Sequence, residues 1–171
     1  MRGILAVVAA AGWLALGQAQ AQEQAANAVL IDPDGKQIGN VAISEVAQGL
    51  RIFAQAENLP PGVHGFHIHE TGQCEQPDFE SAGGHYNPTD KQHGWDNPQG
   101  HHAGDFANVH VHEDGRLAVE YFTTAVTLGE GDTTLFDDDG SAIVMHEGAD
   151  DYQSDPAGHA GNRIACGVIS Q

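Results

Sequence analysis

The sequence predicts an all-β fold, an eight-stranded Greek-key β-sandwich or flattened barrel with two long functional loops. Short segments of alternating polarity are separated by clusters of Gly, Pro, Asn and Asp. No window beyond the N-terminal apolar run keeps a 3.6-residue apolar period. Eight segments of strand length are what a Greek-key sandwich or barrel uses.

Taken in order, Met1-Arg2 is a short positive start, Ile4 to Leu16 is apolar and Ala19-Gln20-Ala21 fits a cleavage pattern, so residues 1–21 are expected to be a signal peptide. The apolar run is about 13 residues against the roughly 20 that cross a bilayer, which argues against a membrane anchor. The mature chain, residues 22–171, suits one domain. Strands are expected at Asn27 to Ile31, Gln37 to Ser44, Gly49 to Ala56 and Val63 to His69, then at Ala107 to His112, Leu117 to Thr123, Ala142 to His146 and Ile164 to Ile169. Asp32-Pro33-Asp34-Gly35 and Glu113-Asp114-Gly115 are expected turns between hairpin partners. Thr71 to Gly104 and Glu147 to Asn162 carry little strand signal, and loops of that length in a compact domain are usually functional. The run Asp137-Asp138-Asp139-Gly140 reads as a solvated turn.

The chain has 24 acidic and 6 basic residues, a formal charge of −18 that becomes −19 when Arg2 leaves with the leader. That balance speaks against nucleic acid and anionic membranes as partners. Cys74 and Cys166 are an even pair in an exported chain and are expected to form a disulfide. Such a bridge would close a loop of about 90 residues, worth roughly 4 to 5 kcal/mol. Two free thiols acting as copper ligands are the alternative.

Five histidines and one aspartate follow in the order His67, His69, His85, His93, His102, Asp105, with a sixth histidine, His146, forty residues on. Imidazoles with a single carboxylate suit one copper and one zinc ion sharing a ligand. His67 and His69 lie two apart and face one side of a strand, half of a square-planar copper site. The same parity puts His64 on the opposite face, where it should be hydrogen-bonded rather than metal-bound. His85, His93, His102 and Asp105 form a closed N3O set of the kind structural zinc takes. The spacing to Asp105 favours His102 over His101, and His101, His110, His112 and His159 read as surface or loop residues.

Gly65-Phe66-His67-Ile68-His69-Glu70, Ala82-Gly83-Gly84-His85-Tyr86-Asn87-Pro88 and His102-Ala103-Gly104-Asp105, with the segments at 144–151 and 161–169, resemble the copper,zinc superoxide dismutases in order over nearly the whole mature chain. By that resemblance His67, His69, His85 and His146 hold copper, while His85, His93, His102 and Asp105 hold zinc, one ion of each per chain. His85 would bridge them as an imidazolate that frees copper on reduction, takes a proton and returns it. The resemblance also makes Asp150 the carboxylate that accepts from one histidine on each metal. Arg163 would dock the anion, and Cys74–Cys166 would be the family disulfide. Without it, Asp150 and Asp151 are equivalent loop acids; pairing with a carboxylate is the alternative for Arg163, but its place just ahead of Cys166, which the disulfide would fix, favours an aimed guanidinium.

The expected activity is dismutation of superoxide in the periplasm or outside the cell, by a chain that could be a homodimer. A protein buffering or delivering copper and zinc, and an inactive structural sandwich, are the alternatives. An acidic body should repel superoxide, but the Debye length at physiological salt is about 8 Å. Arg163, the metals and Lys91 then outweigh remote carboxylates, and the rate should fall only modestly with added salt.

Overall fold

The computed structural model describes residues 25–171, so the signal peptide expected at 1–21 lies outside the described residues. β1 (Ala25–Ile31), β2 (Gln37–Val46) and β3 (Gly49–Ala56) form an antiparallel meander. Alternate residues are buried, as with Ala26, Ala28 and Leu30 in β1, because successive side chains of a strand point to opposite faces. The turn after β1 is held by the Asp32 carboxylate, which accepts from the amides of Asp34 (3.1 Å) and Lys36 (2.9 Å). Gly35 supplies the positive φ of 80° that closes it.

Six further strands follow: β4 (Gly62–His64), β5 (Phe66–His69), β6 (Val109–Val111), β7 (Leu117–Thr123), β8 (Ala142–His146) and β9 (Arg163–Val168). Seven strands form one antiparallel sheet in the order β5-β8-β9-β1-β2-β3-β7, and β4 pairs with β6. The curled sheet and the β4–β6 pair enclose an interior that includes Leu30, Ile43, Ile52, Phe66, Ile68, Val109, Ile143 and Met145. Within it the rings of Phe66, Phe106 and Tyr121 pack at centroid separations of 6.1, 5.8 and 5.1 Å.

Two expectations are corrected. The segment Val63 to His69 is two strands, divided at Gly65. Gly65 donates to the carbonyl of Gly148 (2.8 Å) and accepts from the amide of His146 (2.9 Å), so the chain leaves β6 here and joins β8. A side chain would meet the His67 ring at 3.0 Å and Ala160 at 3.1 Å, which is why the switch falls at a glycine. The second correction is that β6 and β7 share the 113–115 turn without being ladder partners. The turn closes through the His112 amide to Arg116 (3.0 Å), after which β6 pairs with β4 and β7 with β3. The two strands part because the sheet must curl around a single core.

β8 reads as a continuous apolar run because it is covered on both sides. Ile143 and Met145 enter the interior, whereas Ala142, Val144 and Cys166 meet Phe79 and Ala82 of the loop outside. The Cys74–Cys166 disulfide ties that loop to β9 across a sequence separation of 92. Replacing both cysteines by alanine should therefore cost the metal-free protein about 4 kcal/mol in urea denaturation, and a loss below about 1 kcal/mol would show that the apolar contacts alone hold the loop.

Candidate metal centre

The site begins with parity in one strand. Phe66 and Ile68 of β5 point into the barrel, so His67 and His69 point out of it, and the connecting loops bury both. His146 ends the neighbouring β8. The 70–108 segment is fastened to β5 by backbone bonds: the Ile68 amide donates to Gly104 (2.9 Å), and the Ile68 carbonyl accepts from Tyr86 (2.8 Å). A Cβ on Gly104 would lie 2.3 Å from the Ile68 carbonyl, so only glycine allows this approach. Two buried groups result, His67-His69-His85-His146 and His85-His93-His102-Asp105, each with candidate ligand atoms within 4.8 Å of one another. His85 belongs to both.

The outward ring nitrogens are tied down. His67 Nε2 donates to Asp150 Oδ2 (2.8 Å), and His93 Nε2 donates to Asp150 Oδ1 (2.9 Å). His69 Nδ1 donates to the Gly83 carbonyl (3.0 Å) and His146 Nδ1 to that of Gly161 (3.2 Å). A neutral imidazole that donates at one nitrogen presents a lone pair at the other. Among the described residues, His67 Nδ1, His85 Nε2, His93 Nδ1 and His102 Nδ1 are buried without a hydrogen-bond partner. The Nε2 atoms of His69 and His146 face each other at 3.4 Å, two acceptors with no proton to share. Leaving one buried polar atom unpaired costs about 1 to 3 kcal/mol, so so many converging lone pairs call for cations. Four imidazoles suit copper, and three imidazoles with one carboxylate suit zinc. Asp105 lies 2.8 Å from His85 Nδ1, 3.1 Å from His93 Nδ1 and 3.4 Å from His102 Nδ1.

Asp150 joins the two groups, and its placement separates it from Asp151. Asp150 is buried, while Asp151 is exposed and accepts from the amides of Gln153 (2.9 Å) and Ser154 (2.8 Å) in a turn. Three residues that sequence reading missed support the arrangement. Asn108 clamps the Asp150 backbone, accepting from its amide and donating to its carbonyl, both at 2.8 Å. At Gly158 a Cβ would lie 1.9 Å from Asp150 Oδ1. Asp155 accepts from the His93 amide at 2.7 Å. An isolated Asn, Gly or Asp in a loop carries no pattern that would have marked any of them.

The other histidines stay outside both groups. His64 is buried, with Nδ1 2.9 Å from the His146 carbonyl and Nε2 2.9 Å from that of Pro60. His101 stacks on Trp95 at 3.5 Å, and His110, His112 and His159 are exposed. Arg163 opens β9 and is aimed by two carbonyls, donating from Nη1 to Phe79 (2.5 Å) and from Nη2 to Gly83 (2.6 Å). Gly83 also accepts from His69, so one carbonyl aligns the guanidinium with the His69 ring.

Burial, reinforced by neighbouring imidazoles, pushes His85 down to about 4 and His146 down to about 3, and it lowers His69 as well. For His93 burial is outweighed by Asp105 and Asp150, which lift it to about 9. Asp105 and Asp150 lie well below the ordinary carboxylate range; burial opposes this, but their histidine hydrogen bonds prevail. In the metal-free protein, between about 6.5 and 4, the unfolded chain binds protons that folded His69, His85 and His146 refuse, so stability falls as pH falls. The His93 contribution is complete below 6.5 and is lost as pH rises towards 9. Calorimetry of the metal-free protein should give its highest Tm near neutrality, and a Tm that holds constant or climbs from pH 6.5 down to 4 would contradict this assignment.

Comparison with known proteins gives a consistent result. The family model described as copper/zinc superoxide dismutase (SODC) matches residues 37–169. The chain is 47% identical over 151 residues to the copper-zinc superoxide dismutase 1 of Aquifex aeolicus, covering 87% of this chain and 89% of that one. It is 45% identical over 167 residues to superoxide dismutase 2 of the same organism, covering 96% and 98%. Among solved structures, a double mutant of a SOD-like protein from Bacillus subtilis superposes with a TM-score of 0.81 at 47% identity, over 83% of this chain and 95% of that one. This chain belongs to the copper/zinc superoxide dismutase family.

Proposed function

We propose that the chain converts two superoxide anions and two protons into one dioxygen and one hydrogen peroxide, with copper held by His67, His69, His85 and His146 and zinc by His85, His93, His102 and Asp105. The observation that carries this reading is the set of inward lone pairs whose outward nitrogens are committed elsewhere. Copper, when bound, supplies the one-electron exchange with superoxide, and zinc supplies fixed positive charge without redox change.

The protein's own groups do the rest. Arg163, held by the carbonyls of Phe79 and Gly83, presents its remaining N–H groups to an anion and fixes it beside the copper ligands. His85 Nε2 is the ring atom free to take and hand over a proton, because His85 Nδ1 lies against Asp105 at 2.8 Å. Asp150 keeps His67 and His93 in one tautomer and one orientation throughout. A buffering or delivery protein would have no use for an arginine aimed in this way.

The disulfide and the bacterial relatives support an exported protein, and we place it in the periplasm. Among the described residues no helix is long and apolar enough to cross a membrane.

The test is dismutation by metal-counted protein, after copper removal and return, for the native chain and Arg163→Ala. Turnover should vanish and recover with copper, and Arg163→Ala should lose roughly 10- to 100-fold with copper retained. Full occupancy with negligible native turnover would assign the protein to metal buffering instead.

A further inference from the structure

Arg163 lies in a cleft of about 640 Å³ whose lining includes Asp78, Glu80, Gly83, Gly84 and Asn162. The cleft adjoins the copper-side histidines, since the Gly83 carbonyl accepts from both Arg163 and His69. Among the described residues Arg163 is the one base in that lining; Lys36, Arg51, Lys91 and Arg116 are not part of it.

Carboxylates border the same opening. Asp78 and Glu80 are exposed, and among the described residues neither is paired with a base within 4.0 Å. Theirs are the carboxylate charges that act on the Arg163 guanidinium. Glu147 accepts from the Asn162 side chain (2.8 Å), and Glu70 accepts from the Gly84 amide (2.8 Å), so two further negative charges stand behind the lining. The guanidinium is half-buried and anchored, so it cannot swing out to meet an incoming ion. An ion entering from solvent meets two exposed negative charges before one recessed positive charge.

We propose that Asp78 and Glu80 set the rate at which ions enter this cleft, cancelling the field of Arg163 at its mouth so that anion capture is slowed and cation entry is favoured. The anion half rests on the dismutase reading; the cation half does not, because copper must reach His69 and His146 whatever the protein then does with it. Asp78 and Glu80 touch neither the ligand nitrogens nor the docked anion, and they act only through their field. The same two charges therefore have opposite effects on ions of opposite sign, a signature that a merely structural role would not produce.

The test is the double substitution Asp78→Asn with Glu80→Gln, which keeps side-chain size. It also keeps the oxygen through which Asp78 accepts from the Glu80 amide (3.1 Å). Two rates are measured across ionic strength: kcat/KM for superoxide in the copper- and zinc-loaded protein, and association of aqueous copper(II) with the zinc-loaded, copper-free protein. At low salt the variant should capture superoxide roughly threefold faster and fall more steeply with added salt, while copper association slows by a similar factor. Glu113→Gln with Asp114→Asn, the same two-charge change outside the cleft, should move neither rate. Rates that both stay put, that shift in the same direction, or that the Glu113 and Asp114 substitutions reproduce would overturn the proposal. If no form of the protein dismutes superoxide, the dismutase reading fails and the copper rate alone still decides the role of the rim.

Discussion

One buried carboxylate holds the two halves of the metal centre in register. Asp150 accepts from His67 with one oxygen and from His93 with the other, and Oδ1 also takes the amide of Tyr152 at 2.7 Å. Burying a carboxylate costs several kcal/mol unless its lone pairs are filled, and here three donors fill them. Each histidine that donates outward to Asp150 presents, once its ring is neutral, a lone pair inward, so a single side chain sets the tautomer of one ring in each group. The shared ring of His85 then lies between two groups whose orientations are already coupled.

The rest of the fold serves that constraint. The barrel supplies a rigid strand, β5, that buries apolar residues on one face and two histidines on the other. Because loops cover its outer face, the histidines are desolvated without entering the core. The disulfide anchors the loop that carries the Phe79 and Gly83 carbonyls, and these aim Arg163 and align His69. Covalent closure, backbone carbonyls and histidine rings thus form one connected chain of contacts, and loosening the first link reaches the last.

Much of this was legible in the sequence, for identifiable reasons. Alternating polarity marked β3 and β7 at their observed bounds, because a half-buried strand imposes a period of two. The same period predicted that His67 and His69 share a face while His64 does not. The Gly65 break was not legible, since nothing in Val63 to His69 interrupts the strand pattern except one glycine, and its role depends on Gly148 and Ala160, which are remote in sequence. Neither was the parting of β6 from β7, because a tight turn between two strands looks the same whether or not they go on to pair. Asn108, Gly158 and Asp155 act through isolated contacts with Asp150 or His93, and isolated contacts leave no periodic trace. Asp150 itself needed a family resemblance to be told from Asp151.

Crystallography of the copper- and zinc-loaded protein, with anomalous data at both metal edges, tests this coupling of the two groups most directly. Two ions are expected, one on either side of the His85 ring. Copper would be bound through His67 Nδ1, His69 Nε2 and His146 Nε2, and zinc through His93 Nδ1, His102 Nδ1 and Asp105, with Asp150 still joining His67 to His93. A single ion, two ions of one element at full occupancy, or binding through the nitrogens that face Asp150, Gly83 and Gly161 would contradict it.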